Sequence, residues 1–300
     1  MKTLKRHHTY HFSSESFGSA YNYFRYFIEH SYEIGMHKQE FFEINIVTHG
    51  SGTHYIDGGA ISANVGDVFI IPPELEHGYE GGEGFDVLHI LINNRFMQKN
   101  LTELRAMSGF SLLFDVEPLM RAKAGRSLHL SLDPENFLDI MDTISDRLDK
   151  NGALCADEAI LNTGAFFTLV SKLCRIYTKD ITSGSVLGTG EDAAFMHAFS
   201  LIHERYKEKL SIDMLAREAR LSRSSFTRKF KYICKTSPAQ YITAKRVEAA
   251  ENMLLMTAAP ISDIAEETGF YDASHLTRAF FKIHGVTPSE YRKRNKSEND

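Results

Sequence analysis

Two similar stretches near the end of the chain decide its fold. They are SIDMLAREARLSRSSFTRKFKYICKTSPAQYI at residues 211–242 and PISDIAEETGFYDASHLTRAFFKIHGVTPSEYR at residues 260–292. The blocks around Arg228 and Arg278 align at an offset of 50 residues, whereas the blocks before them align at 49. A shared pattern with one inserted residue predicts two copies of the same supersecondary unit.

Each copy has the parts of a helix-turn-helix unit. A short first helix carries a small inward-facing residue, Ala216 or Ala265, which lets the next helix pack closely. Gly269 in the second turn suits the left-handed backbone that ends a helix. Ser222 and Asp272 can cap the helix that follows. The extra residue of the second copy therefore falls in its turn.

The second helix of each unit has an apolar and a polar face. The apolar stripe contains Phe226 and Phe230 in the first copy, and Leu276 and Phe280 in the second. The polar faces carry Ser224, Ser225, Thr227 and Arg228, and then Ala273, Ser274, His275, Thr277 and Arg278. A Ser-Pro or Thr-Pro pair, Ser237-Pro238 or Thr287-Pro288, follows each unit and predicts the start of another helix. A plain helical domain with polar outer faces is the alternative, and two matched copies argue against it.

The charge is distributed unevenly along the chain. Residues 1–193 contain 16 Lys and Arg against 26 Asp and Glu, whereas residues 194–300 contain 18 against 13. The net charge of −5 therefore combines −10 with +5. A basic last third on an acidic body indicates a polyanionic partner for that third, although an ordinary solvated surface has a similar charge.

The first half of the chain is predicted to form β-structure over residues 36–92. Short apolar runs such as EINIV and GDVFII alternate with turn residues. Many short strands at close spacing favour a small barrel or sandwich. Pro72 and Pro73 mark the end of a strand, because proline cannot donate a ladder hydrogen bond.

Residues 133–178 are predicted to form two helices. The first begins at Asp133-Pro134, a cap followed by proline. The second runs over about 156–177 and is apolar nearly all round, so it should be buried. Its inward side is predicted to contain Ile160, Phe167, Val170, Leu173 and Tyr177. The Gly/Ser/Thr-rich stretch DITSGSVLGTGED at 180–192 predicts a flexible linker.

Composition excludes several classes of protein. Three scattered cysteines, Cys155, Cys174 and Cys234, are too few for a disulfide framework or a zinc finger. No apolar stretch follows the basic N-terminus, and no run of eighteen apolar residues occurs. We therefore expect a cytoplasmic protein that does not enter a membrane.

The C-terminal repeats resemble the AraC/XylS family of transcription regulators, and IAEETGFYDASHLTRAFFKIHGVTPSEYR at 264–292 carries the resemblance most closely. It implies two recognition helices, joined by a long linker helix over about residues 238–256, in adjacent major-groove segments on one face of double-stranded operator DNA. The base-facing positions then fall on Ser224, Thr227 and Arg228 in the first copy, and on Ala273, Ser274, His275, Thr277 and Arg278 in the second. Arg228 and Arg278 are the strongest, because arginine can bind guanine with two hydrogen bonds. Pairing with Glu218 or Glu267 is their structural alternative.

Four further basic residues are predicted to contact phosphates, which positions a protein without specifying sequence. They are Lys229, Lys231, Arg246 and Lys282. Any one of them could instead be a solvated charge. With these contacts few and unequal, the rest of the specificity is expected from the shape of the DNA.

The β-region resembles the cupin-type sensor domain of the same family. HKQEFFEIN at 37–45 fits the first cupin motif through His37 and Glu43, and GDVFIIPPELEHGYE at 66–80 fits the second through Gly66, Pro72 and His77. Metal-binding cupins have a second His where this chain has Gln39, and a glycine where it has Glu74. We therefore predict no cofactor and no enzyme activity. A three-ligand metal site at His37, Glu43 and His77 is the minority alternative.

The resemblance implies an α+β protein of two domains. The N-terminal one is a cupin-like β-barrel sensor (1–125) with a helical dimerisation segment (126–179), and the C-terminal one (193–296), beyond the linker, is all-α, with two helix-turn-helix motifs joined by a linker helix. A sugar or other polar effector is expected in the barrel, near His8, Tyr10, Phe12, His37, Glu43, His77 and Tyr79. His49, His54 and His89 are expected to be satisfied strand or loop residues.

A homodimer is expected through the helix at 156–177, with packing on its own barrel as the equal alternative. RNA polymerase is a partner if the protein activates transcription. A metal-dependent cupin enzyme and a protein-binding scaffold are the competing functions. The sequence leaves open the effector, the operator, the target genes and whether transcription rises or falls.

Overall fold

The computed structural model describes residues 10–12, 24–30, 33–56, 59–124, 128–146, 156–183 and 191–297. The chain divides into two compact units, Met1–Val186 and Leu187–Asp300. The first contains the predicted β-structure with helices, and the second is helical throughout its described part. The α+β class and the division into a β-rich and a helical part are confirmed.

Two five-stranded sheets form the first unit. One has the strand order β1-β3-β8-β5-β6 and the other β10-β7-β4-β9-β2. The strands are β1 (Tyr10–Phe12), β2 (Phe24–His30), β3 (Glu33–Gln39), β4 (Phe42–His49), β5 (Ser51–Ile56), β6 (Gly59–Asn64), β7 (Asp67–Ile71), β8 (His77–Gly81), β9 (Asp86–Ile92) and β10 (Leu130–Ser131). The predicted β-region thus extends to both sides, because β1 and β2 precede it and β10 follows it.

Alternation along β4 shows which residues face between the sheets. Val47 packs in a core with Phe69, Ile71 and Tyr79, and because side chains alternate along a strand, Glu43 lies on the same face of β4. The intervening residues of β4 are buried too. The sheet is therefore covered on both faces, which accounts for the nearly continuous apolar runs in the sequence.

Gly66 fixes the tight turn between β6 and β7. Its φ of +91° lies in the region that favours glycine, and a Cβ there would lie 2.6 Å from the carbonyl oxygen of Leu132. Glu74, which stands where the cupin motif has glycine, also adopts a positive φ of 65°. Position 74 therefore has the left-handed backbone that favours glycine, although its residue is glutamate.

Helices follow the strands in the first unit. They are α1 (Asn94–Lys99), α2 (Leu101–Ala106), α3 (Glu117–Ala124), α4 (Pro134–Ser145) and α5 (Ala156–Ser183), with a π-helical turn at Ser111–Val116 before α3. Asp133 caps α4 as predicted, with its side chain accepting from the N–H of Asn136 at 2.8 Å. The helices between β9 and β10 were not predicted, because their apolar residues lack a long helical period.

Helix α5 is the second of the two helices predicted over residues 133–178, and it is longer than predicted. At its start, it also buries a different side from the one predicted. Val170, Leu173 and Tyr177 are buried, but Ile160 is 69% exposed, so its predicted inward placement is wrong. Residues 159–181 of α5 are long and apolar enough to cross a membrane by composition alone. This is weak evidence, because a core helix of a folded domain has the same composition, and the buried side of α5 packs within its own unit.

Seven helices make up the described part of the second unit. They are α6 (Glu191–Arg205), α7 (Ile212–Glu218), α8 (Arg223–Cys234), α9 (Pro238–Met256), α10 (Ile261–Glu267), α11 (Ala273–His284) and α12 (Pro288–Ser297). The predicted linker helix agrees with α9 in both bounds. Residues 180–183 and 191–192 of the predicted flexible linker are helical instead, because they belong to α5 and α6, and the rest of that segment lies outside the described residues. The other domain bounds stay predictions.

Candidate DNA interface and ligand-binding barrel

The first helix-turn-helix unit is formed by α7 and α8. Ser222 caps α8 by accepting from the N–H of Ser225 at 3.2 Å. The turn is closed by the N–H of Leu221, which donates to the carbonyl of Ala216 at 2.9 Å. Arg220 supplies the left-handed residue of this turn, with a φ of +55°.

The second unit, formed by α10 and α11, repeats this geometry. Asp272 caps α11 by accepting from the N–H of His275 at 2.6 Å. The N–H of Phe270 donates to the carbonyl of Ala265 at 2.8 Å, and Gly269 takes the left-handed position with a φ of +82°. The predicted caps, the predicted role of Gly269 and the matching of the two units are therefore confirmed.

Separate apolar cores hold the two recognition helices. Phe226 and Phe230 of α8 pack on Phe195 and Phe199 of α6. On α11, Leu276 and Phe280 are buried with residues of α9 and α10, including Ala265. Because these stripes fix the rotation of each helix, the opposite faces of α8 and α11 are presented to solvent.

The predicted base-facing residues lie on those exposed faces. Ser224, Arg228, Ser274 and Arg278 are exposed, and within the described residues neither arginine forms an ion pair. Pairing of these arginines with Glu218 or Glu267 is therefore not seen. Thr227 and Thr277 turn their hydroxyls to the carbonyls of Arg223 and Ala273, respectively, at 2.8 and 2.7 Å. Ser225, Ala273 and His275 are half-buried, and Lys231 and Lys282 are exposed.

Two of the predicted phosphate contacts are engaged within the protein. Arg246 is half-buried and donates to the carbonyls of Tyr206 and Glu208, both at 2.7 Å. Burial also lowers the pKa of Arg246 below its ordinary value. We therefore assign Arg246 to holding the chain after α6 rather than to a phosphate, which corrects the sequence prediction.

Lys229 is the second of these residues. Its Nζ lies 2.7 Å from Asp192 and 3.0 Å from Glu191, and it stands 5.2 Å from the ring centre of Phe195. A depression of about 470 Å³ beside it is lined by Ser225, Arg228 and Tyr232, among others. Lys229 therefore reaches a phosphate only after its carboxylate partners are replaced.

Sequence reasoning missed two exposed residues at the starts of the recognition helices. Tyr271, 92% exposed, lies in the turn before α11. Arg223 is exposed at the start of α8, where it bonds to Asp213 at 2.9 Å. A large aromatic residue in a polar turn was a signal for Tyr271, but the charge of Arg223 was not distinctive.

A cluster of polar side chains centred on Glu43 lies buried in the barrel. One carboxylate oxygen of Glu43 accepts from Nδ1 of His89 at 2.5 Å, and the other lies 3.3 Å from Nε2 of His77. Gln39 donates to this second oxygen at 3.4 Å. The rings of His37 and His77 are 4.2 Å apart. The structure thus brings together the predicted His37, Glu43 and His77, and adds Gln39 and His89.

A second group of buried residues continues the cluster. Asn45 donates to the Tyr79 hydroxyl at 3.0 Å, and the His54 ring stacks on that of Tyr79 at 4.5 Å. Arg121 of α3 bonds to Glu117 and to the carbonyl of Ile70, and lies 3.4 Å from Nδ1 of His54. The barrel interior is therefore tied to a helix outside the sheets.

Burial and neighbouring charges shift the pKa values of this cluster. Burial lowers the pKa of His37 to about 4, assisted by the charge of His77. Burial acts to raise the pKa of Glu43, but the imidazoles of His77 and His89 outweigh it and lower that pKa. Burial and the charge of Arg121 hold the pKa of His54 well below its ordinary value. The cluster therefore combines the Glu43 carboxylate with neutral imidazoles at His37 and His54.

The N-terminal arm of the predicted effector site is only partly described. His8 lies outside the described residues. Tyr10 and Phe12 lie on β1, which pairs in parallel with β3 so that Tyr10 is opposite His37 and Phe12 opposite Gln39. His49 is exposed at a strand end, 3.5 Å from Asp86, whereas His54 and His89 are strand residues inside the barrel.

Alternation along the strands could have revealed part of the missed set. Gln39 and Asn45 each lie two residues from a predicted site residue, and side chains two apart share a face of a strand. Which face of β5 and β9 pointed inward could not be decided from their sequences, so His54 and His89 were not assigned.

These two units define a class of protein: a regulator that binds DNA through paired helix-turn-helix units and carries a β-rich domain with a buried polar cluster. Comparison with known proteins agrees. The AraC-like ligand-binding domain matches residues 17–159, and a helix-turn-helix domain matches residues 215–294. The chain belongs to the AraC family of transcriptional regulators.

Individual relatives are similar over most of their length. The lactose operon transcription activator of Staphylococcus xylosus is 24% identical over 251 residues, covering 83% of this chain and 82% of that protein. The transcriptional regulator MtrA of Neisseria gonorrhoeae is 24% identical over 259 residues, covering 83% and 85%. Among solved structures, the DNA-binding domain of AdpA in complex with a target DNA is 24% identical, covers 35% of this chain and 95% of that one, and has a TM-score of 0.34.

Proposed function

We propose that the chain controls transcription by sequence-specific operator binding through α8 and α11, under the control of a small molecule bound in the barrel. The observation that carries this proposal is the pair of recognition helices with Arg228 and Arg278 exposed at matching positions. Each can form a bidentate contact with guanine in the major groove. The two helices would read adjacent groove segments, while Lys231 and Lys282 contact phosphates.

Binding to the DNA that flanks the protein's own gene tests this proposal. We expect a specific complex in an electrophoretic mobility shift at low salt, weakening steeply as salt rises, because phosphate contacts release counterions. A matched fragment with scrambled sequence is the control for specificity. Equal binding to both fragments, or none to either, contradicts the proposal.

For the effector, we propose a carbohydrate or a similarly polar metabolite. The barrel places Asn45, His54 and the Glu43 cluster beside the aromatic rings of Tyr79 and Phe69. Polar groups among aromatic rings are suited to a molecule with both hydroxyls and apolar faces. One relative is named for activation of a lactose operon, which supports the same class.

A thermal-shift screen of sugars tests the effector class. A sugar that binds the folded barrel raises the melting temperature by mass action. His54→Phe keeps a ring on Tyr79 but removes the polar nitrogens, so it should abolish that shift. A sugar-induced shift that survives His54→Phe places the sugar elsewhere.

The regulator is further proposed to act as a cytoplasmic homodimer and activator that contacts RNA polymerase. Leu138, Ile160 and Leu161 of α4 and α5 are exposed apolar residues, with exposed fractions of 68%, 69% and 56%. They suit the predicted helix-on-helix contact with a second copy. Light scattering should show a dimer, and Ile160→Glu with Leu161→Glu should yield a monomer.

Contact with RNA polymerase has a separate test. A variant that loses activation of a reporter gene but still binds the operator would identify a residue that contacts the polymerase.

A further inference from the structure

The strongest unexplained feature of the molecule is the arrangement of donors around Glu43. His37, Glu43 and His77 are all buried, and each offers a ligand atom within 4.8 Å of the others. Atoms bound to one ion at about 2.1 Å are separated by up to roughly 4.2 Å. Small side-chain adjustments therefore bring all three onto a single ion.

His77 shows why a cation suits this place. Its Nδ1 lies 3.3 Å from the carbonyl oxygen of Leu75, and its Nε2 lies 3.3 Å from a carboxylate oxygen of Glu43. Nε2 of His77 is also buried and has no hydrogen-bond partner among the described residues. Because Nδ1 is turned to the carbonyl of Leu75, Nε2 is the His77 atom that faces Glu43, and a metal ion between these two atoms would be bound by both.

The surrounding residues have the positions of supporting groups. His37 bonds through Nδ1 to the carbonyl of Gly35 at 2.9 Å, which fixes the orientation of its ring beside that of His77. His89 holds the other oxygen of Glu43 at 2.5 Å. Such outer hydrogen bonds orient metal ligands and tune their basicity.

Gln39 stands where metal-binding cupins have a second histidine, and its orientation bears on the fit. Its amide nitrogen donates to Glu43 at 3.4 Å, while its Oε1 is buried with no hydrogen-bond partner among the described residues. An amide oxygen is an acceptable ligand for a divalent ion. The three residues of the cluster therefore fit a metal, and Gln39, with its amide turned over, would add an oxygen in place of the missing imidazole nitrogen.

We propose that the barrel binds one first-row divalent metal ion through His37, Glu43 and His77, with Gln39 as a weaker fourth ligand. Two imidazoles and one carboxylate suit zinc, iron or manganese and leave further positions open to a ligand. This metal site deepens the proposed function, because it names a class of ligand for the barrel. It rests on that function in one respect only, which is that the barrel is a binding site. DNA binding does not depend on it.

Metal uptake by the full chain tests the site. Protein treated with a chelator and desalted is titrated with Zn²⁺, and bound metal is measured by mass spectrometry. We expect one Zn²⁺ per chain, and a visible absorption band when Co²⁺ is used instead. Glu43→Gln should weaken Zn²⁺ binding by more than about tenfold, since it removes a charged ligand rather than an outer hydrogen bond. Gln39→His should tighten binding.

Control variants separate this site from other histidines. His129 pairs with Asp67 at 3.2 Å in the same unit, so His129→Asn should retain Zn²⁺. Circular dichroism identifies any variant that fails to fold. In that case Gln39→Ala, which leaves the three principal ligands in place, should still shift the Co²⁺ band.

Measuring operator binding on the same samples separates the two proposals. Folded protein that binds operator but takes up no stoichiometric Zn²⁺ overturns the metal site and leaves the proposed function intact. Zn²⁺ uptake that is equal in the parent protein and in Glu43→Gln also overturns it. Stoichiometric, Glu43-dependent uptake by a protein without operator binding supports the metal site and contradicts the proposed function.

Discussion

The two helix-turn-helix units have the same internal packing but different outer surfaces. In both, a buried alanine lets the helices approach, and an N-cap side chain starts the recognition helix. The outward residues diverge, because Lys229 and Lys231 of α8 correspond to Ala279 and Phe281 of α11. Packing and backbone geometry restrict which residues can occupy the inner positions. The outer positions can differ between the two units, because each unit can contact a different stretch of DNA. The two units are therefore expected to contribute unequally to operator binding.

The largest expected effect concerns the turn, where Gly269 corresponds to Arg220. A Cβ at Gly269 would lie 2.4 Å from the backbone oxygen of Lys207, and its φ is +82°. We therefore expect Gly269→Ala to lower the free energy of unfolding of the helical unit by about 3 kcal/mol. Urea denaturation followed by circular dichroism measures this.

The corresponding substitution in the first unit should not lower the free energy of unfolding. Arg220 bears its left-handed conformation with a side chain, so Arg220→Gly relieves strain and should leave stability equal or raise it by roughly 0.5 kcal/mol. If Gly269→Ala proves as harmless as Arg220→Gly, the two turns are not related as described.

The second comparison concerns the arginines of the recognition helices. Arg228→Ala and Arg278→Ala should each weaken operator binding by about 1–3 kcal/mol, or roughly 5- to 150-fold, while leaving binding to scrambled DNA less affected. Fluorescence anisotropy at fixed salt measures both affinities. Unchanged operator affinity in both variants would support a protein-binding scaffold instead.

A smaller effect is expected from the acidic residues at the start of α6. Because Glu191 and Asp192 bind Lys229, we expect Glu191→Gln with Asp192→Asn to release it to a phosphate. The salt dependence of operator binding should steepen by about 0.9 in log–log slope. The gain in affinity should stay within about fivefold, since exposed ion pairs are weak.

Two controls identify Lys229 as the cause. Neutralising Glu208 and Glu248, whose partners Arg205 and Lys245 lie outside the recognition helices, removes the same charge and should not change the slope. Adding Lys229→Met to the first pair of changes should remove the gain in slope. A gain that persists without Lys229 means that only the overall charge matters.

The smallest effect separates the caps that follow each unit. Glu290 accepts from the backbone N–H of Thr287 at 2.8 Å, which lowers its pKa below the ordinary 4.5, whereas the first unit has Gln240 at this place. A carboxyl whose pKa is lower in the folded state stabilises above its ordinary pKa, and this contribution is lost as pH falls through the folded value. Acid should therefore loosen only the second cap.

Thermal melting of the protein and of Glu290→Gln between about pH 6 and pH 3 checks this expectation. The variant keeps the hydrogen-bonding shape of the first unit, so its melting temperature should fall less in acid than that of the parent. Parallel curves would show that the Glu290 cap contributes nothing.

The helical unit was predictable from sequence because its constraints are local. Caps, Ser-Pro starts and the apolar stripe of Phe226 and Phe230 each occupy a few consecutive residues, and the repeat supplied an internal check. The roles of Lys229 and Arg246 were not predictable, because their partners lie 37 to 40 residues away in sequence. A basic residue near a recognition helix looks the same whether it faces DNA or a carbonyl.

The barrel was less predictable because its site is assembled from distant strands. The motifs identified His37, Glu43 and His77, but the hydrogen bond from His89 to Glu43 joins residues 46 apart. The period of two could place Gln39 beside His37, yet it could not show which face of β5 or β9 points inward. Only the pairing of strands brings His54 and His89 into the same interior.

Hydroxyl-radical footprinting on the DNA that flanks the gene shows whether the two unequal units bind adjacent groove segments. We predict two protected segments on one face of the duplex, about one helical turn or 10 base pairs apart. Arg228→Ala should weaken protection of one segment and Arg278→Ala that of the other. A single protected segment, or equal loss of both segments in each variant, would contradict the account.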